Sequence, residues 1–186
     1  MPYPELPRPD VPASIAVVRD FVNTTEMETG GDDLTTPTEL ARYLLAEGLL
    51  ATTTRATARE LALARDLRAG LRAALEDNHD GRRSVLPDLE AALGSLDVRL
   101  TWTEDGASLT PTRAGVRGAL ARIGIAAHQA AVDGLWWRLK ICSSDECAWA
   151  FYDHSKNRSR QWCEFGCGNR MKTRAYRARQ KAAAPA

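Results

Sequence analysis

Residues 162–172 read WCEFGCGNRMK: two cysteines four positions apart, wrapped in glycines, with a dense basic run behind them. The stretch is either a metal knuckle feeding a nucleic-acid-binding helix or a Gly-rich turn before a solvated tail. The other two cysteines bear on the choice. Four residues separate Cys142 from Cys147, three separate Cys163 from Cys167, and 15 lie between the pairs. Two close pairs at that spacing match the layout of a four-cysteine zinc site. Zinc takes four tetrahedral ligands, and thiolates at about 2.3 Å satisfy it. Two short loops each present two sulfurs, and a fold between them closes the tetrahedron. Such a site stabilises a module of about 45 residues that has too little core alone. The rival readings are four unligated buried cysteines and two disulfides. Free cysteines rarely cluster as two pairs, and the cytoplasmic location inferred below disfavours disulfides. Catalytic zinc is disfavoured because four cysteines leave no open position. His154 reads as an exposed turn residue before it reads as a ligand.

The residues between the pairs extend this picture. Trp149, Ala150, Phe151 and Tyr152 read as a strand, residues 153–158 (DHSKNR) as a polar turn, and Arg160, Gln161 and Trp162 as a returning strand. The order is then knuckle, hairpin, knuckle, helix, a treble-clef or zinc-ribbon-like arrangement. Gly166 and Gly168 flank Cys167 and permit the positive φ of a tight knuckle. Asn169 is placed to cap the next helix. In that helix Met171, Ala175, Ala178 and Ala182 share one face, which is expected to lie against the zinc core. From 156 to 181 stand nine basic residues and one acid, Glu164. The nine are Lys156, Arg158, Arg160, Arg170, Lys172, Arg174, Arg177, Arg179 and Lys181. Arginine suits forked recognition of phosphate or a guanine edge, and phosphate contacts supply salt-dependent affinity. Tyr176, and secondarily Trp162, offer a ring for stacking on an unpaired base. The plainer reading is a solvated basic face that also offsets the charge of a zinc tetrathiolate. Coupled to a zinc module, nucleic-acid binding is the stronger expectation, with DNA ahead of RNA.

Charge divides the chain at the same place. Residues 1–137 hold 14 Lys/Arg against 20 Asp/Glu, a net of −6, while residues 138–186 hold 11 against 4, a net of +7. All four cysteines lie in the second part. An acidic domain (1–137) joined to a basic module (138–186) points to an anionic partner for the module. There is no run of 18 apolar residues, so no membrane span is expected, and MPYPELPRPDVPAS lacks the build of a signal peptide. A cytoplasmic protein is expected.

The first part reads as mainly α. Residues 1–12 look like a Pro-rich arm. Ile15, Val18, Phe21 and Val22 predict a helix over 14–25, followed by a polar loop over 26–35. Thr36, Pro37 and Glu39 make a capping box with proline at the first helical position. A long helix is predicted over 55–78, with Leu61, Ala64, Leu67, Leu71 and Leu75 on its face and its arginines mostly outside that stripe. A shorter helix follows over 86–96. Val98, Leu100 and Trp102 alternate as a strand, Glu104, Asp105 and Gly106 turn, and residues 108–110 return. A helix over 113–138 ends the domain, with Trp136 and Trp137 expected between domain and finger. Asp20, Asn23 and Thr24 form a polar patch that either ties helix ends together or, as the weaker alternative, lines a ligand pocket. Arg19 and a buried-looking His128 are read as structural. No nucleophile elbow, phosphate loop or metal-hydrolase motif is present, so a binding protein and not an enzyme is expected.

Residues 142–181, with CGNR at 167–170, C-x4-C at 142–147, FYD at 151–153, SKNRSR at 155–160 and WC at 162–163, resemble the CGNR zinc-finger family. The family pattern has four residues between its last two cysteines; here Glu164, Phe165 and Gly166 make three. The first part is similar to the ABATE domain that usually precedes this finger. The matching elements are Asp20-Phe21-Val22-Asn23-Thr24, and Asp33, Leu34, Thr36 and Pro37 before a helix. The resemblance implies a bacterial nucleic-acid-binding regulator of stress-induced transcription. The N-terminal domain would then sense a small-molecule effector or form a homodimer. A protein–protein adaptor that docks an acidic partner is the reading from another class.

Overall fold

The computed structural model describes residues 11–104 and 106–183. All but the last two residues of the expected Pro-rich arm lie outside that range. Helix α1 (Ala13–Val22) buries Ile15, Val18, Phe21 and Val22 completely. Their spacing puts all four on one stripe, which packs on the later helices. The expected polar loop after it contains a small ribbon, β1 (Thr25–Glu26) paired antiparallel with β2 (Gly31–Asp32). Helix α2 (Pro37–Ala46) opens with the expected capping box. Glu39 donates its N–H to the Thr36 hydroxyl at 3.2 Å, and its carboxylate accepts the Thr36 N–H at 2.8 Å. Helix α3 (Ala58–Asp80) begins with the same device at Thr57 and Glu60 and stops at Gly81.

After the short α4 (Pro87–Gly94), strands β3 (Val98–Thr103) and β4 (Gly106–Pro111) form the expected hairpin. Helix α5 (Gly115–Val132) is shorter than predicted. Gly134 adopts a left-handed φ of 69°, and the Leu135 N–H reaches back to the Ala130 carbonyl at 2.9 Å. That reach closes the helix end in the manner of a Schellman motif. Trp136–Arg138 then form a single 3-10 turn. Trp136 packs against the core, while Trp137 stays partly exposed beneath the Arg83 guanidinium, 4.6 Å from its ring centre. His128 is exposed, contrary to its expected burial, because it lies on the solvent side of α5.

The largest departure from the expected hairpin is at residues 139–152. Strand β6 (Ala150–Tyr152) pairs antiparallel with β5 (Leu139–Ile141), not with residues 160–162. Leu139, Ile141 and Ala150 are buried in the same core as Ile15, Phe21, Leu71 and Leu120. The ribbon that carries the first cysteine pair is therefore part of the helical body. It rests on α3 and α1. Residues 160–162 cannot take the strand position because the Arg160 N–H is bound by the Asp153 carboxylate at 3.0 Å.

Polar side chains on α1 and α3 fasten this junction. Asn23 donates to the Ala150 carbonyl at 2.9 Å and accepts the Ala150 N–H at 2.8 Å. Arg72 reaches the Val22 carbonyl at 2.8 Å and the Ala148 carbonyl at 2.6 Å. Asn78 donates to the Trp136 and Leu139 carbonyls at 2.9 and 3.0 Å. Arg68 is buried, against the expectation for the α3 arginines. It forks onto Asp32 at 2.7 and 2.8 Å and reaches the Thr24 hydroxyl at 2.9 Å. No helix among the described residues is long and apolar enough to cross a membrane.

The Arg68 hydrogen bonds hold Asp32 below the usual carboxylate range, outweighing burial, which acts the other way. A depressed folded-state pKa gives stability that is complete above the unfolded value of about 4 and is lost as pH falls through the folded value. Arg68→Met is expected to lower stability by about 2 kcal/mol near neutral pH, less than for a fully enclosed pair because Asp32 is partly solvated. Urea unfolding at stepped pH checks this. The difference between wild type and Arg68→Met should shrink as the pH falls below about 4.

Candidate metal centre and nucleic-acid interface

The four cysteine Sγ atoms lie within 4.8 Å of one another. Cys147 and Cys163 are 3.7 Å apart, Cys163 and Cys167 3.6 Å. A tetrahedron with metal–sulfur bonds of about 2.3 Å has edges of about 3.8 Å. The cluster therefore has the size of a single zinc tetrathiolate. All four cysteines are buried and sit against Phe151, with Trp149, Trp162 and Phe165 packed around them. Trp149 and Phe165 meet edge to face at 5.8 Å.

Each sulfur is placed by local backbone. Cys142 follows directly on β5, and its N–H bonds the Trp149 carbonyl at 2.9 Å. The Cys147 N–H turns back to the Ser144 carbonyl at 2.8 Å, and Ala148 takes a left-handed φ of 43° to leave the knuckle. Cys163 lies in the loop before α6 (Cys167–Ala183), and Cys167 is the first residue of that helix. Gly166 has a φ of 80°, which lets three residues span the second pair; the shortened loop still brings Cys163 and Cys167 together.

Four adjacent thiolates repel one another. Hydrogen bonds from Cys147 and Cys163 pull the Cys142 thiol far down, and contact with Cys142 pushes both Cys147 and Cys163 up. A divalent cation bound at this site would take the place of the thiol protons and relieve that repulsion. Zinc is the structural cofactor this donor set fits, and with four sulfurs bound it keeps no open position. Arg170 offsets part of the negative charge of such a tetrathiolate. Its guanidinium donates to the Cys167 sulfur at 3.0 Å and to Glu28 at 3.2 Å, so it links the cluster to the loop between β1 and β2.

Asp153 builds the basic loop. It is fully buried and pairs with Lys140 at 2.9 Å. It also accepts the Ser155 N–H at 2.8 Å and the Arg160 N–H at 3.0 Å. Lys140 donates in addition to the Arg158 carbonyl. Arg138 supports the loop from below, donating to the Asp153 and Ser155 carbonyls at 3.0 and 2.8 Å. Burial raises the Asp153 pKa, but its hydrogen bonds from Ser155 and Lys140 outweigh that and hold the carboxyl below its ordinary value. The resulting turn exposes Lys156 and Arg158, the latter at a left-handed φ of 53°. Lys140 and Asp153 were not among the expected site residues. The one local signal was the aspartate closing FYD at 151–153, since the strand that holds Lys140 is not evident in the sequence.

Of the nine expected cations, three already have partners. Arg160 pairs with Glu164 at 3.2 Å, Arg170 with the cluster and Glu28, and Arg174 with Glu146 at 3.0 Å. Lys156, Arg158, Lys172, Arg177, Arg179 and Lys181 are exposed, and none forms an ion pair among the described residues. The expected packing of the alanine stripe is not found: from 172 to 181 every residue of α6 is exposed, Ala175 and Ala178 included. Asn169 is not the cap either. The helix already begins at Cys167, and the Asn169 N–H bonds the Gly166 carbonyl at 3.0 Å. Gly168 is helical, and the Trp162 ring lies beside it, at an ordinary contact distance of 3.5 Å from where a Cβ would stand. Trp162 is thus a packing residue, whereas Tyr176 is 56% exposed. His154 lies against Tyr152, away from the sulfurs. Asp20 pairs with Arg19 at 2.8 Å. Asn23 holds β6, and Thr24 donates to the Phe21 carbonyl at 2.8 Å. Asn23 and Thr24 thus take helix-tying roles, while Asp20 pairs with its neighbour on α1. An open groove of about 950 Å³ lies between α2 and residues 53–58.

Two family models match the chain in sequence order. The ABATE model, described as "Putative stress-induced transcription regulator", matches residues 16–135, and the CGNR zinc-finger model matches residues 138–180. No curated protein matches.

Cys163→Ser should lower bound zinc well below one ion per chain and free the 163–166 loop and α6, while the 153–160 loop stays held by Asp153. The β5–β6 ribbon should persist, because it belongs to the main core. Metal analysis and hydrogen exchange check both halves. Unchanged zinc and unchanged exchange at residues 163–181 would show that the sulfurs do not hold the ion.

Proposed function

Because the chain belongs to the ABATE family and carries a CGNR zinc finger behind that domain, we propose that it regulates transcription by binding DNA through the finger. The observation that carries this reading is the state of α6. On a helix, Arg170, Arg174, Arg177 and Lys181 fall on one stripe, and Lys172, Tyr176 and Arg179 on the opposite one. A helix exposed on every side from 172 to 181, with cations on two opposed stripes, suits insertion between two phosphate walls. The major groove of B-DNA, about 12 Å wide, admits a helix, while the deep, narrow major groove of A-form RNA does not. Arg158 supports the same reading. Its left-handed backbone would favour glycine, yet an arginine is kept there, at the tip of a loop held by Asp153.

In this reading zinc and Asp153 position the cations, and the finger acts by binding, not by catalysis. The N-terminal helices supply the regulatory half by sensing an effector or joining two copies. RNA binding, and docking of an acidic protein partner, are the competing outcomes of the test. Anisotropy of a labelled random duplex across a salt series is the measurement. Six unpaired cations give an expected log–log slope of about −5, a loss of roughly a thousandfold between about 50 and about 200 mM salt. Replacing Arg177 and Arg179 with alanine should reduce the slope by about 2 with zinc retained. Absence of binding at low salt would move the reading to the adaptor, and preference for single-stranded RNA over duplex would move it to RNA.

A further inference from the structure

The β3–β4 ribbon turns its apolar face outward. In its register Val98 stands opposite Pro111, Leu100 opposite Leu109 and Trp102 opposite Ala107. Alternation puts these six on one face. The other face carries Arg99 with Thr110, Thr101 with Ser108, and Thr103 with Gly106. That polar face has its own cross-strand bond, 2.9 Å between the Thr101 and Ser108 hydroxyls, and the Thr110 hydroxyl on it is buried. On the apolar face Leu109 and Pro111 are half-buried, but its β3 side is open: Val98 is 44% exposed, Leu100 68% and Trp102 83%. A one-sided antiparallel ribbon ordinarily buries its apolar face and solvates the polar one. An isolated two-stranded ribbon is also marginal in water. Here β4 packs on α5, and Arg99, Thr103 and Ser108 of the polar face are solvated as usual; it is the apolar face that stays largely uncovered.

We propose that a second copy of this chain covers it, making the ribbon face a two-fold dimer interface centred on the Leu100–Leu109 pair. The face itself carries no charge, which disfavours a polyanion or a charged peptide and suits a self-complementary contact. Charge at its ends fixes the arrangement. Exposed Glu104 marks the tip of the ribbon. At the base two arginines share one carboxylate, Arg113 at 3.3 Å and Arg117 at 3.7 Å from Asp97. A two-fold axis across the strands sets the acidic tip of one copy against the cationic base of the other. An axis along the strands would set Glu104 against Glu104. The crossed arrangement is therefore the one chosen. This inference stands apart from the nucleic-acid reading, since it uses neither the zinc nor the basic helix.

Sedimentation velocity of the zinc-loaded full chain, without nucleic acid, tests it from about 1 μM to about 200 μM, a span that resolves dissociation constants in the micromolar range. The expected result is a concentration-dependent monomer–dimer equilibrium. Leu100→Asp and Trp102→Asp should each weaken it about 30-fold or more, as central interface residues do. Both sites are exposed in the monomer, so melting temperature and circular dichroism should stay unchanged at low concentration. Trp102→Gln, a milder change, should act in the same direction. Glu104→Lys should weaken the dimer several-fold at low salt. A wild type that stays monomeric over the whole range overturns the proposal, whether the face is bare or covered by the chain's own N-terminal residues. A dimer of undiminished affinity in both aspartate variants overturns it as well. Indifference to Glu104→Lys overturns the tip-to-base arrangement.

Discussion

Four sulfurs confined within 4.8 Å set the terms for the C-terminal third of the chain. Unprotonated and without a cation they repel, and protonated they cannot bind one another strongly enough to order the loops that carry them. A single divalent ion resolves this and fixes three separate pieces of backbone at once: the end of β5, the 163–166 loop and the start of α6. The direction in which α6 leaves the body follows from that, because Cys167 is both a ligand and the first residue of the helix. Arg170, one turn along, adds a second anchor through its bonds to the Cys167 sulfur and Glu28.

The finger is not a bead on a string. Its β5–β6 ribbon lies in the helical core, and α3 serves as the spine of the junction. Along α3, Arg68 secures the β1–β2 ribbon, Arg72 ties the end of α1 to the first knuckle, and Asn78 holds the chain entering β5. Each of these side chains satisfies backbone or carboxylate groups that would otherwise be costly to bury. A shift of α3 would therefore be felt at the knuckle through Arg72. That continuity gives the helical body a physical route to the finger that carries the cations.

How much of this was legible in the sequence varies with the range of the interactions involved. The zinc ligands were, because their spacing reports a local geometric need. So was the Thr36–Glu39 cap, which is complete within four residues, and the β3–β4 hairpin, which announces itself by alternation. Strand β5 was hidden. It is three residues long and follows an aromatic segment whose spacing continues the helical pattern of α5. The false strand at 160–162 arose because the sequence does not reveal that Asp153 would claim the Arg160 N–H. The α3 arginines looked solvated because amphipathic patterning cannot foresee Asp32 or the Val22 carbonyl, tens of residues away. The alanines of α6 suggested a packed face, yet small residues are equally at home on an exposed cationic helix.

The distribution of charge completes the account. Acids outnumber bases in the helical body, while the zinc site projects a loop and a helix with six exposed cations that form no ion pair among the described residues. Rigidity matters as much as charge here, since a frayed tail of the same composition would bind polyanions weakly and without register. The most direct test is to follow the affinity of the intact protein for a labelled duplex while zinc is stripped with a chelator and then restored. Affinity should fall as the ion leaves and return with it, with the N-terminal helical signal retained throughout. Full affinity in the zinc-free protein would contradict the claim that the four sulfurs and their ion create the binding surface.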